Sequence, residues 1–232
     1  MFFGKPIIVC FPRNSGGKFL INCIGLSNDA VLSDILLVQQ QLDNKFNSYD
    51  KLKLLLNRIS ICNDTGTWDD LQLSQCQLFN GTALIDTFTI EEIQKFDGYS
   101  FTSILPAEFF LTSATDIVIH SDKFFSVETH GINDAIFYYN LWQDSKIILF
   151  DNKFDNFYNF REGIDPARNF KWEIELFNNI PYISWSADDY LIENVFLEKI
   201  KNLYNNIGLT DFNEELILTY YRSWLNTIEK DK

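Results

Sequence analysis

The longest uninterrupted apolar run near the start of the chain is Ile7-Ile8-Val9-Cys10-Phe11, flanked by Pro6 and Pro12. It has the pattern of a strand covered on both faces inside a parallel sheet. Lys18 to Leu26 then reads as a helix. Leu32–Leu42 and Tyr49–Ile61 are expected to be two more, the second with Leu52, Leu55, Leu56 and Ile59 at helical spacing. Asn63–Thr82 holds Gly66, Gly81 and many polar residues and is expected to be loop. A short helix is expected from Thr89, with Glu91 and Glu92 in its first turn.

The second half alternates between strand and helix patterns, which predicts a sheet with helices on its faces. Expected strands are Ile117–His120, Phe124–Thr129, Lys146–Asp151 and Tyr182–Trp185. Expected helices are Asn133–Trp142, Phe154–Arg161, Glu193–Asn205 and Asn213–Ile228, the last two separated by a stop at Gly208. No internal repeat or low-complexity linker divides the chain. Residues 1–232 are therefore expected to form one α/β domain, with 30–115 as an insertion-like, variable, mainly helical and loop region.

Composition supports a folded chain. Hydrophobic residues make up 46% of the 232 residues and aromatics 16%, including 22 Phe, enough for a core rich in large rings. The 19 basic and 32 acidic residues give a net charge of -13, which repels nucleic acid and anionic membrane at long range. Neither is expected as a partner, and any anion site must be local. Cys10, Cys23, Cys62 and Cys76 form no C-x-x-C pair and have no histidine cluster beside them, so no zinc site and no disulfide framework is expected. Met1-Phe2-Phe3-Gly4-Lys5-Pro6 leads straight into a strand without the parts of a secretion signal, and no apolar run approaches the roughly 20 residues of a membrane span. A cytoplasmic location is the expectation.

The chemistry concentrates in Phe11-Pro12-Arg13-Asn14-Ser15-Gly16-Gly17-Lys18-Phe19. A loop between an apolar strand and a helix presents backbone N–H groups and the positive end of the helix dipole, a setting for a phosphate- or sulfate-like anion. Gly16 and Gly17 allow the backbone to come close. Against G-x-x-x-x-G-K-[ST], Gly17-Lys18 fits, whereas Pro12 replaces the first glycine and Phe19 the magnesium-binding hydroxyl.

The segment resembles the phosphosulfate loop of the sulfotransferases, a P-loop group whose loop runs from an apolar strand through Tyr-Pro-Lys-Ser-Gly-Thr-Thr. Here Phe11-Pro12-Arg13 and, after Asn14, Ser15-Gly16-Gly17 look like that loop with one residue inserted. Phe125-Ser126-Val127-Glu128-Thr129-His130 is similar to the family's strand ending in Lys-Thr-His, whose histidine is the proposed general base. Lys146 to Asp155 is similar to the strand that leads into Arg-Asn-Pro-x-Asp; Asn152 and Asp155 match, Asp151 stands in place of the 3′-phosphate arginine, Lys153 in place of proline, and Asn159 in place of a phosphate-binding serine. Tyr182–Trp185, Asp188-Asp189-Tyr190-Leu191 and the two closing helices are similar to the family's late elements, without its C-terminal Arg-Lys-Gly clamp.

The resemblance implies a P-loop-type three-layer α/β/α fold with a mainly parallel sheet. It also implies metal-free transfer of a sulfuryl group from 3′-phosphoadenosine 5′-phosphosulfate (PAPS) to a hydroxyl or amine of a small molecule or glycan. In that reading Arg13, Asn14, Ser15, Gly16, Gly17, Lys18 and Asn159 would hold the donor, Arg13 and Lys18 would neutralise charge, and His130 would take the acceptor's proton. Glu128, replacing the family's lysine, would orient His130. Two other readings stay open: a non-catalytic nucleotide- or anion-binding protein of the same fold, in keeping with Glu128 and Asp151, and a P-loop kinase or NTPase using Asp151 at the end of Ile147-Ile148-Leu149-Phe150.

Overall fold

A computed structural model of the chain describes residues 2–12, 15–32, 46–65, 119–142, 145–151, 156–157, 177 and 179–230. The apolar run near the N-terminus forms β1 (Phe2–Cys10), in which Ile7, Ile8, Val9 and Cys10 have no exposed surface. Burial on both faces follows from its place. β1 pairs in parallel with β3 (Ile119–Thr129) on one side and β4 (Lys146–Phe150) on the other. β2 (Ala30–Val31) adds to β3 and β5 (Ile183–Trp185) to β4, giving a sheet in the order β2-β3-β1-β4-β5 in which every pairing among the described residues is parallel.

Alternate residues of β1 divide between two cores, as the period of two requires. Ile7, Val9 and Phe11 pack with α1 (Gly17–Gly25), α2 (Ser48–Thr65), α4 (Glu193–Ile207) and α5 (Glu214–Lys230). Ile8 and Cys10 pack with Ile132, Ala135 and Tyr138 of α3 (Ile132–Leu141) on the other face. The result is an α/β fold with helices on both sides of a parallel sheet. The path through α1 leaves β1 toward the β2 edge, whereas the path through α3 leaves β3 toward β4. The carboxyl ends of β1, β3 and β4 thus surround the point where the connections diverge, the place where open α/β sheets receive ligands.

The larger core absorbs many of the aromatic residues. Phe19 stacks on Trp224 with centroids 3.9 Å apart and lies 5.2 Å from Tyr220, while Phe196 stacks on Tyr221 at 4.6 Å. α4 ends where Gly208 turns into the left-handed region at φ 97°. Among the described residues, no helix is long and apolar enough to cross a membrane.

The expected strand break between His120 and Phe124 is absent, because β3 stays paired with β1 across it. The register shifts between Phe3 and Lys5, so three residues of β3 lie against one of β1. α2 continues to Thr65, past the loop start expected at Asn63. Within 30–115, Ala30 and Val31 belong to the sheet, and Leu52, Leu55 and Ile59 of α2 are buried in the main core; residues 33–45 and 66–115 lie outside the described residues. The expected helices at Leu32–Leu42 and from Thr89, and most of Phe154–Arg161, lie outside the described residues.

Candidate functional site

Beyond β1 the ladder holds for one more step, with Phe11 N donating to Thr129 O at 3.1 Å, and the chain then leaves the sheet at Pro12. Ser15 is fully buried, and both its N–H (3.3 Å) and its hydroxyl (2.7 Å) donate to Pro12 O, closing the turn. Gly16 follows at φ 81°, which costs other L-residues roughly 1–2 kcal/mol. Its carbonyl accepts from Leu20 N and from the Tyr190 hydroxyl, each at 3.2 Å. A Cβ on Gly17 would lie 2.0–2.3 Å from three ring atoms of Phe11, so only glycine lets α1 begin this close to the strand end.

Among the described residues nothing accepts from the backbone N–H groups of Gly16, Gly17, Lys18 and Phe19. These are the orphan donors of a helix start, at the positive end of its dipole, and the first turn of α1 contains no acidic residue of its own. The donor set begins at Gly16 rather than at Ser15, whose N–H is spent on Pro12. Arg13 and Asn14, expected beside it, lie outside the described residues, as do Asn152, Lys153, Asp155, Asn159 and Arg161.

His130 directly follows β3. Its Nδ1 lies 3.0 Å from Phe11 O, its Nε2 lies 2.9 Å from Glu128 Oε1, and its ring stands edge-on to Phe11 at 4.9 Å. Two acceptors therefore face the two ring nitrogens, and only the imidazolium donates to both. Glu128 Oε2 is 3.9 Å from Lys18 Nζ, which joins α1 to β3 across the crevice. The Glu128 side chain is 10% exposed and that of Lys18 52%. The structure thus brings Gly16, Gly17, Lys18, Glu128 and His130 to one end of the sheet. Asp151, half-buried at the carboxyl end of β4, donates its N–H to Trp185 O at 2.8 Å.

Phe19, at the position where a magnesium-binding hydroxyl would stand, is 2% exposed and packed on Trp224, so it brings no oxygen to the loop. Cys10 is also unavailable as a nucleophile: burial pushes its thiol up to about 12, and its Sγ donates to Gly131 O at 3.5 Å. The contribution that motif reading missed is Tyr190, in the short 3-10 turn Ala187–Leu191. Its ring backs Gly16, Tyr221 holds its carbonyl at 2.7 Å, and neighbouring Asp188 accepts from Phe157 N and Asn156 Nδ2, both at 2.8 Å. The available signal was the Asp188-Asp189-Tyr190 turn itself.

Compared with protein-family models, curated proteins and solved structures, the chain matches none.

Proposed function

We propose that the protein is a sulfotransferase-like enzyme that moves a sulfuryl group from PAPS to a hydroxyl or amine. The observation that carries the reading is the set of four N–H groups of Gly16 to Phe19, without an acceptor among the described residues, at the carboxyl end of the central strand, with Lys18 and His130 at the same end. Their chemistry fits the phosphosulfate end of the donor, since free N–H groups at a helix start bind oxyanions. Asp151 does not fit the 3′-phosphate end, where a cation is required.

When bound, PAPS would supply the sulfuryl group. The backbone of Gly16 to Phe19 would hold its phosphate oxygens, and Lys18 would neutralise charge that grows during transfer. His130 would receive the acceptor's proton at Nε2, which requires Glu128 to move its Oε1 from that nitrogen.

That same contact favours a second reading. A carboxylate oxygen 2.9 Å from Nε2 occupies the nitrogen a base would use, which suits a nucleotide- or anion-binding protein without catalysis. Thermal shift with adenosine 3′,5′-bisphosphate, ATP with magnesium, and sulfate separates the readings of the site. At a ligand concentration of about 100 Kd, selective binding of the bisphosphate should stabilise the fold by about 2.7 kcal/mol and raise Tm by about 5–10 °C. Stabilisation by ATP with magnesium alone would reject the sulfotransferase reading in favour of a kinase.

Asp151→Arg tests the mismatch. If the 3′-phosphate lies at the end of β4, the substitution should tighten bisphosphate binding about fivefold at low salt. Most of the gain should vanish at 1 M salt, where the Debye length is about 3 Å. Calorimetry reads the change, and equal affinities would place that phosphate elsewhere.

A further inference from the structure

The other end of α1 carries a second polar assembly, which the proposed function does not use. The turn from Leu26 to Val31, between α1 and β2, is held from several sides. Asp29 accepts from Thr210 N (2.7 Å) and Thr210 Oγ1 (2.6 Å), and Asp211 accepts from Asn28 N (2.6 Å) and from the Ser27 hydroxyl. From β3, Lys123 Nζ donates to Asn28 O at 3.2 Å. From α2, Ser48 N donates to Asn28 Oδ1 at 3.0 Å, and Lys51 Nζ donates to Ser27 O at 2.5 Å and Ala30 O at 2.6 Å.

Lys51 has no exposed surface, and the described residues offer its amine two acceptors. A neutral amine has two N–H bonds, which these carbonyls satisfy. An ammonium brings a third, for which the described residues offer no acceptor in a buried place. The carboxylates of Asp29 and Asp211 act on it only through space, being committed to Thr210, Asn28 and Ser27. Lys123 faces it with like charge.

We propose that Lys51 makes this junction a proton-sensitive latch: with the amine neutral α2 is locked onto the turn, and uptake of a proton loosens α2 from it. Burial, aided by Lys123, lowers the amine to about 7, against the pull of Asp211 and Asp29. Asp29 is pushed up by burial but held below its ordinary value by the Thr210 hydrogen bonds and by Lys5 of β1 and Lys123. Burial keeps the Tyr204 hydroxyl of α4 protonated. Between about 7 and 10.5 the unfolded chain binds more protons at Lys51 than the folded one, so stability rises with pH across that window. Cys10 works the other way above about 9, since its folded thiol keeps a proton that the unfolded one loses. The clean range is therefore about pH 7 to 8.5.

Two measurements on the full chain test the latch. In an NMR titration of lysine side chains one amine should titrate near pH 7, and amide protection of Lys51 to Ile59 should fall below that pH relative to β1. In urea unfolding, the folding equilibrium constant should rise by up to tenfold per pH unit above 7 in the parent and stay flat in Lys51→Met. Lysines that all titrate above about pH 9.5, or equal relative protection of α2 at pH 6 and 8.5, would overturn the proposal. If Lys51→Met does not fold, titration and protection in the parent decide alone.

Discussion

Gly17→Ala should destabilise the fold by about 2–3 kcal/mol and abolish anion binding at the start of α1. The added methyl would sit 2.0–2.3 Å from Phe11 Cγ and both Cδ atoms, and that end of the ring is fixed by the backbone rather than being a flexible tip. Phe11 has little room to retreat: it is 3% exposed, edge-on to His130, and 5.7 Å from the Phe150 ring. Overpacking of this kind costs about 1–3 kcal/mol, and alanine's better helix propensity returns less than about 1 kcal/mol at a first helical position. A loss of about 3 kcal/mol corresponds to a fall in Tm of roughly 6–12 °C for a chain of this size. The double variant Phe11→Leu/Gly17→Ala should recover part of the stability, because the smaller side chain vacates the methyl's place. A coupling of about 1 kcal/mol or more in urea unfolding would confirm the contact, and strict additivity would refute it.

Why Gly17 was visible in the sequence while its partner was not shows the limit of local pattern. A run from Ile7 to Phe11 with no polar residue has few ways to be buried except inside a parallel sheet, and two glycines at its end require a tight exit. Both facts are local. The helices with strong amphipathic spacing, α4 and α5, were legible for the same reason. β2 was not, since two residues carry no period and become a strand only by pairing with Phe124 and Phe125. Nothing local marks Lys51 as buried: a lysine on a helix ordinarily faces solvent, yet here the amine meets two carbonyls of the preceding turn. Tyr190 lies 174 residues from Gly16 in sequence, and no local rule links a tyrosine in a 3-10 turn to the carbonyl of a distant loop.

The relation of Glu128 to His130 was partly legible. Residues two apart on a strand share a face, so a carboxylate at 128 is placed to meet a histidine at 130. The carboxylate's second contact was not, because Lys18 reaches it only once α1 has folded back along β3. The proposed anion site would therefore have a negative charge built into its wall. Glu128→Gln keeps the size and leaves an amide oxygen to accept from Nε2, while removing that charge.

Glu128→Gln should therefore tighten binding of adenosine 3′,5′-bisphosphate or sulfate about tenfold. A full charge near 6 Å from a bound oxyanion, at an effective dielectric of about 20, would repel it by nearly 3 kcal/mol. Solvent screening around the half-exposed Lys18 reduces this to roughly 1–2 kcal/mol. Lys18 loses its internal partner in the variant and gains the ligand, so both changes act in one direction. Calorimetry at 0.1 M and 1 M salt should show the gain shrinking as salt rises. Unchanged affinity would mean that the anion binds away from Glu128, and with it the assignment of Lys18 and His130 to the site would fall. Weaker binding would mean that the carboxylate organises the site by holding His130 and Lys18 in place, a role that Glu128→Asp, with the charge kept and the reach shortened, would separate from electrostatic repulsion.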